Sequence, residues 1–407
     1  MREIVREWGR IGCIGFGGPP AHISLLRELC VGRRGWLSDE QFERALAAVN
    51  LLPGPASTQL AIYCAWRLRG NRGALLGGLC FILPGLVLIL ALSTLFLAGS
   101  PPLWVRGAGM GAGAAVPAVA LAAGLGVARP ILARARERER RLARVLVYGL
   151  AGGAAAATLG PYLVLLLIGC GALELGRSAP PRRGALSLQI WPAAAAALAT
   201  RVHALLGTDP RSSATPLFAR AAVLSSAPAG TGALAWTAFK VGALAFGGGF
   251  VIVPLMQTDA VNTYHWMTHA QFLNAAALGQ VTPGPVTQTV AAVGYSAKGL
   301  TGGLLAALVA FAPSFSFILI GAARFERLLV DQRVLAFLAG AAPAAAGAIV
   351  GSAIPLTAAI GQDWQYAILA GAAVALLALR RGVVLTLLAA GTIGALAVLL
   401  GAPNVHA

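Results

Sequence analysis

The stretch GFGGPPAHISLL, residues 15–26, interrupts an apolar segment with two glycines and two prolines. Gly17, Gly18, Pro19 and Pro20 end any helix that precedes them, because proline lacks an N–H donor and restricts the residue before it. Inside a membrane the freed backbone groups need partners, since lipid offers none. The break therefore predicts either a functional site or a place where the surrounding protein completes the hydrogen bonding.

The composition indicates a membrane environment. Of 407 residues, 58% are hydrophobic and 11% are charged. Residues 73–105 and 107–128 carry no charge, and each stretch exceeds the roughly 20 residues that cross a bilayer as a helix. Residues 364–379 and 382–402 are further apolar segments. We therefore predict an all-α, polytopic membrane protein. Because MREIVREWGR leads straight into the first break, we expect no cleaved signal peptide.

The formal net charge of +17 would suggest a nucleic-acid partner in a soluble protein. Here most arginines fall in short connections between apolar segments, as in the cytoplasmic loops of membrane proteins. We therefore predict a lipid bilayer and no nucleic acid as partner. No C-x-x-C pair and no zinc, nucleotide or catalytic-triad spacing occurs, so we expect no metal, no cofactor and no catalytic residue. The scattered cysteines are Cys13, Cys30, Cys64, Cys80 and Cys170.

The opening motif recurs 230 residues later in the chain. GRIGCIGFGG at 9–18 aligns with FKVGALAFGG at 239–248, and the register then holds through both Pro-Gly-Pro triplets. A chance alignment would not keep rare tryptophans, prolines and glycines in register, so the chain is a duplication. Further aligned pairs are Leu25 with Leu255, Val31 with Val261, Trp36 with Trp266, Phe42 with Phe272, Gly70 with Gly299, and Pro84 with Pro313.

The charges of the two halves favour opposite orientations in the membrane. Residues 129–144 carry seven arginines and two glutamates and are therefore expected in the cytoplasm. In the second half, Arg324, Arg327 and Arg333 fall instead where the first half has its outside loop, residues 99–104. Basic connections of one half that align with charge-poor connections of the other are typical of inverted-topology repeats.

The predicted organisation is a first repeat at 1–185, a linker at 186–229 and a second repeat at 230–407. Opposite orientation requires an odd number of crossings between equivalent points of the two repeats. Residues 187–206 are the segment that we expect to supply the extra crossing.

Each half contains two helix breaks, one at the Gly-Gly motif and one at the Pro-Gly-Pro triplet. The connection 27–44 is rich in arginine, which favours a segment 40–66 that folds back at its triplet over one that crosses fully. A half-helix that begins at membrane depth points free N–H groups and its positive dipole end at the break, which suits an anion with several oxygens. The predicted anion-binding residues at the breaks are Gly17, Gly18, Pro53, Gly54, Ser57, Thr58, Gln59, Gly247, Gly248, Gly249, Pro283, Gly284, Thr287 and Gln288.

Ionisable residues near the breaks are further candidates. Arg10 and Lys240 occupy the same repeat position and are predicted to bind the anion; the alternatives are an interfacial lysine and an ordinary charged helix start. His22 is predicted to bind the anion or carry a proton, with a structural histidine as the alternative. Glu28 and Asp259 are candidates for coupling transport to protons. The alternative for both is an ordinary solvated carboxylate at a helix end.

Five stretches carry a resemblance to a known family. FGGPPAHISLLRE, GWLSDEQF and LLPGPASTQLAIYCAWRLRG in the first half, and FGGGFVIVPL and LGQVTPGPVTQTVAAVGY in the second, resemble the chromate ion transporter (CHR) family, in its long-chain, two-domain form. The resemblance implies a multi-pass protein of the bacterial inner membrane that exports chromate and confers resistance to it. It also implies a secondary transporter without an ATPase. Where the family usually has a glutamate, this sequence has Thr258, with Asp259 beside it.

The residues leave alternatives to chromate export open. Chromate and sulfate are tetrahedral dianions of nearly equal shape, so transport of sulfate or another oxyanion, or import, also fits. A membrane-embedded chromate reductase is disfavoured, because the sequence has no flavin, haem or redox-cysteine motif. The coupling ion and the existence of a homodimer stay open.

Overall fold

The computed structural model describes residues 1–52, 54–97, 99, 101–136, 139–158, 163–178, 230–245, 252–322 and 331–403. All regular elements in these ranges are helices, and four of them are long and apolar enough to cross a membrane. The prediction of an all-α membrane protein is confirmed. The linker 186–229, with the proposed crossing at 187–206, lies outside the described residues.

The first half contains seven α-helices among the described residues. A π-helical turn, Glu28–Arg33, directly continues α2. The helices are α1 (Arg2–Ile14), α2 (Pro19–Arg27), α3 (Asp39–Leu51), α4 (Ala56–Phe96), α5 (Leu103–Ala135), α6 (Glu139–Thr158) and α7 (Leu163–Ser178).

The second half repeats this order. A π-helical turn, Thr258–Thr263, again follows the second helix, a 3-10 turn, Val286–Gln288, leads into the fourth, and a π-helical turn, Val374–Ala378, follows the sixth. The helices are α8 (Thr231–Ala243), α9 (Ile252–Gln257), α10 (His269–Val281), α11 (Thr289–Gly321), α12 (Gln332–Ala358), α13 (Asp363–Ala373) and α14 (Val383–Leu399).

Equivalent helices share their local chemistry as well as their order. Both α3 and α10 begin with a capping box, Ser38 with Gln41 and Thr268 with Gln271, in which each side chain satisfies the other residue's backbone N–H. The helix α3 has 13 residues, as does α10. Thirteen residues extend about 20 Å, which is short of the roughly 30 Å of a bilayer core.

The long helices α4 and α11 are each folded in two. Non-helical dihedral angles occur at Arg69 and Gly70, where Gly70 has a φ of +59°. Beyond this point Gly73 packs against Ala65 and Gly78 against Ile62, so the arms 56–68 and 71–96 run antiparallel. In α11 the corresponding fold lies at Lys298 and Gly299.

The first break is the tip of another hairpin. The chain reverses between α1 and α2, where Gly17 and Gly18 adopt φ values of +95° and +74° that favour glycine. The guanidinium of Arg34, beyond α2, lies 2.8 Å from the carboxylate of Glu7 and 3.6 Å from that of Glu3, both on α1. The chain has therefore returned to the level at which α1 begins.

The two halves interlock through antiparallel pairs of helices. The arm 71–96 packs against α11, with Gly78 at Phe315 and Leu90 at Gly303. The part of α11 that makes these contacts is the arm 300–321, which is the repeat equivalent of the arm 71–96. The two equivalent arms therefore lie antiparallel to each other. The helix α5 likewise packs against α14, and α12 against α7. The apolar core continues through both halves.

Candidate functional site

The carbonyl oxygen of Gly15 joins breaks from both halves. Gly15 is the last residue before the first break, and its oxygen accepts a hydrogen bond of 2.9 Å from the backbone N–H of Gly284 in the second Pro-Gly-Pro triplet. The same oxygen lies 2.8 Å from Nε2 of His22. A carbonyl only accepts, so Nε2 of His22 carries a proton and donates it here.

His22 connects the two breaks of the first half. Its side chain is fully buried, with its ring edge against Phe81. Its Nδ1 lies 3.3 Å from the hydroxyl of Ser57, which follows the first Pro-Gly-Pro triplet. In the neutral ring Nδ1 accepts this bond while Nε2 donates to Gly15. These contacts show a structural role for the histidine, whereas its predicted role toward an anion stays a prediction.

Each Pro-Gly-Pro tip packs against the long arm of the other half. Nε2 of Gln288 donates a hydrogen bond of 2.8 Å to the carbonyl of Ile82, on the arm 71–96. A side chain at Gly85 would overlap the carbonyl of Pro283, so only glycine permits this approach. The first triplet packs on the second half in the same way: a side chain at Gly54 would lie 3.2 Å from the hydroxyl of Ser314 and 3.4 Å from the carbonyl oxygen of Gly242. Each triplet thus lies near the middle of the other half's long arm, and the second triplet also contacts the first break through Gly15.

The site contains buried polar atoms without a hydrogen-bond partner in the described part of the chain. They are the hydroxyls of Thr58, Thr287 and Ser314 and the side-chain oxygen of Gln288. All four side chains are fully buried. Leaving such a group unsatisfied costs about 1–3 kcal/mol, so each calls for an explanation such as a bound ligand. Thr58 and Thr287 are equivalent in the repeat, and each lies in the first turn after its triplet.

Lys240 is held by Asp259. The lysine Nζ lies 2.5 Å from Oδ2 of Asp259, and the hydroxyl of Thr237 donates a 3.1 Å hydrogen bond to the same oxygen. The lysine also lies 6.0 Å from the ring centroid of Trp236. The side chains of Lys240 and Asp259 are 19% and 6% exposed. Asp259 is therefore a buried counter-ion and not a solvated carboxylate at a helix end.

Comparison with known proteins supports the resemblance. The family model described as chromate transporter matches residues 2–175 and 232–395, one part in each of the predicted repeats. The chain belongs to the chromate transporter family. As the two matched parts show, this transporter-family protein has the long, two-part form.

Curated members of the chromate transporter family match over most of their length. The chromate transport protein of Cupriavidus metallidurans is 30% identical over 93% of this chain and 88% of its own. The probable chromate transport protein of Synechococcus elongatus is 28% identical over 88% of this chain and 84% of its own. The chromate transport protein of Pseudomonas aeruginosa is 30% identical over 87% of this chain and 80% of its own. No solved structure matches.

Two predicted site residues of this chromate transporter family member are exposed, and four others are not described by the structure. Arg10 lies on the exposed face of α1. Glu28 has a side chain that is 64% exposed and lies 3.6 Å from Arg33. Pro53 and Gly247, Gly248 and Gly249 fall outside the described residues.

Three residues of the site were missed by the sequence reasoning. The role of Gly15 depends on its carbonyl oxygen, which no side-chain pattern reveals. Gly85 and Ser314 directly follow the aligned prolines Pro84 and Pro313, so the repeat alignment could have identified them as equivalent candidates. Among the described residues, no three His, Cys, Asp or Glu side chains are grouped as metal ligands.

Proposed function

We propose that this protein exports chromate from the cytoplasm and binds the oxyanion where the break tips of the two halves meet. Membership of the chromate transporter family and the names of three long relatives support the substrate. The observation that carries the site is the pair of buried, unpartnered hydroxyls of Thr58 and Thr287.

The chemistry of this meeting point suits a tetrahedral dianion. At the start of α4, the N–H groups of Ala56, Ser57 and Thr58 have no carbonyl one turn earlier in the helix to bond. Such an N-terminus carries partial positive charge, and the threonine hydroxyl adds a neutral donor. The equivalent turn in the second half supplies Thr287. Several donors from two directions match the several oxygens of chromate.

An inverted arrangement of the repeats fits this proposal. The antiparallel packing of the equivalent arms 71–96 and 300–321 supports a two-fold axis between the halves. Arginines are frequent at the start of α1, in the connection between α2 and α3, and at the turn around Arg69. Such arginines are expected on the cytoplasmic side. The equivalent turn of α11 has only Lys298. The short helices around both triplets then enter the membrane and return, in a bacterial inner membrane.

Transport by such repeats proceeds by rocking of one bundle against the other around a central site. We propose a secondary transporter without an ATPase, in which the membrane potential or a proton gradient drives export. The buried pair of Lys240 and Asp259 is the proposed place for coupling, since an ionisable pair within the membrane is a functional site by default. Glu28, which is exposed, is a weaker candidate for coupling, and Arg10, also exposed, is a weaker candidate for binding the anion.

Export is tested in membrane vesicles of opposite orientation. Everted vesicles should accumulate radiolabelled chromate when energised, and right-side-out vesicles from the same cells should not. Vesicles without the protein are the control. Equal accumulation in both orientations would contradict export. Sulfate and molybdate, added as competitors, test the alternative substrate: stronger inhibition by unlabelled sulfate than by unlabelled chromate would show that sulfate is the preferred ion.

A further inference from the structure

The equivalent helices α3 and α10 have the same length and the same type of N-terminal cap, but one face that is buried in α10 is exposed in α3. In α10 this face is buried, with Leu273 and Ala277 3% exposed and Gln280 8% exposed. The equivalent residues of α3 are Glu43, Ala47 and Asn50, and all three are exposed. The structure is therefore asymmetric at a point where the repeated sequence predicts symmetry.

The buried face of α10 is covered by α5. Gly109 and Gly113 of α5 lie so close to Asn274 and Leu273 that a side chain at either glycine would meet them. In the symmetric arrangement α3 would be covered in the same way by α12, the counterpart of α5. Instead, Glu43, Ala47 and Asn50 of α3 are exposed on this face, and none of the helices that the structure describes buries them.

The residues on the open face indicate water and not lipid. A face toward lipid would be apolar, because a polar side chain in hydrocarbon is costly. Here the face carries Glu40, Glu43, Arg44 and Asn50; Arg44 is paired with Glu40 at 2.6 Å and Glu43 with Arg27 at 2.8 Å. Asn50 lies about 17 Å along the helix from its start, which is about half the thickness of a bilayer core.

We infer that the open face of α3 lines a water-filled cleft that leads the oxyanion from the cytoplasm to the break site. Asn50 lies three residues before the first Pro-Gly-Pro triplet, so the cleft ends at the tip that carries Thr58. Thr58 itself is fully buried, so the structure is inward-facing: the cleft is open from the cytoplasm as far as Asn50, and the last step to the site is closed. The other side is closed by α10, which packs on α5. In the outward-open state α3 closes on α12 and α10 leaves α5. This inference rests on the proposed function for its substrate and direction.

The cleft is tested by labelling single cysteines with a membrane-impermeant maleimide. The five native cysteines are first replaced, and Asn50→Cys, Ala47→Cys, Gln280→Cys and Leu150→Cys are made one at a time in the full chain. Leu150 is 74% exposed on α6 and has only apolar neighbours on its outer face, so it reports on lipid. Gln280→Cys is the matched control, because it occupies the position equivalent to Asn50 in the closed half.

In everted vesicles we expect the maleimide to label Asn50→Cys and Ala47→Cys and to leave Gln280→Cys and Leu150→Cys unlabelled. In right-side-out vesicles neither α3 variant should be labelled. Failure of both α3 variants to label in everted vesicles, or equal labelling from the two sides, would overturn the inference. The labelling requires no substrate, so it gives an answer even if chromate proves not to be transported.

A transport measurement then tests whether the oxyanion uses the cleft. Ala47→Trp fills the open face and should abolish chromate accumulation in everted vesicles, while Leu150→Trp, which adds the same bulk on the lipid side, should retain it. Wild-type accumulation by Ala47→Trp, with the protein inserted in normal amount, would show that the ion enters elsewhere.

Discussion

The ion pair of Lys240 with Asp259 allows a direct test of how a buried charge affects the stability of the folded protein. Lys240→Met removes the cation and leaves the carboxylate of Asp259 buried, with the Thr237 hydroxyl as its one side-chain donor among the described residues. Breaking a buried ion pair from one side costs about 3–5 kcal/mol. The lysine side chain is 19% exposed, so water offsets part of the loss and we expect the lower end of that range, about 3 kcal/mol.

The double variant Lys240→Met/Asp259→Leu removes both charges together. Leucine is the residue at the equivalent position of the first repeat, where Leu29 is fully buried. Replacement of a whole buried pair by apolar residues is often neutral or stabilising, so the double variant should regain wild-type stability.

The assay is thermal unfolding of the purified protein in detergent, with chromate accumulation measured in parallel. Lys240→Met should melt clearly below the wild type, and the double variant should melt near it. Both should fail to transport, because the proposed coupling pair is absent. A double variant as unstable as Lys240→Met would refute the reasoning on charge burial, and normal transport by the double variant would refute the role in coupling.

Three further substitutions test the docking of the second triplet, the docking of α1 and the role of Arg10. Gly85→Val should prevent the second triplet from docking, since its side chain overlaps the carbonyl of Pro283, and both melting temperature and transport should fall; Gly126→Ala, with open space around it, is the neutral control. Trp8→Phe removes a 2.8 Å hydrogen bond from the indole to the carbonyl of Ala61 and should lower stability by about 1 kcal/mol in the same melting assay. Arg10→Ala, on an exposed face, should reduce chromate accumulation less than Lys240→Met does.

Much of the fold follows from local sequence patterns. The uncharged stretches predicted the long helices, and glycine with proline marked the breaks. Gly17 and Gly18 lie between α1 and α2, which begins at Pro19, and the triplet at 283–285 follows the end of α10. The recurrence of Gly70 as Gly299 marked a second kind of reversal, although only the structure shows that α4 and α11 are folded in two there. A glycine with positive φ looks the same in the sequence as one that permits close packing.

The site was less predictable, because its contacts join residues far apart in the chain. The positions of Thr58 and Thr287 after the triplets predict both as site residues, and the structure buries both. The pairing of Lys240 with Asp259 has no sequence signal, since 19 positions separate them and the pair has no counterpart in the first repeat. Nor does a pattern of side chains reveal that the carbonyl of Gly15 receives a bond from the other half.

Oxyanion-dependent thermal stabilisation tests the central proposal most directly. The wild type, Thr58→Val/Thr287→Val and the exposed control Thr392→Val are melted with chromate, sulfate, molybdate or phosphate. A ligand at 100 times its dissociation constant stabilises the folded state by about 2.7 kcal/mol. We predict that chromate raises the melting temperature of the wild type and of Thr392→Val and has little effect on the double threonine variant. Equal stabilisation of all three proteins would show that the anion binds elsewhere, and no stabilisation by any oxyanion would contradict the proposed site.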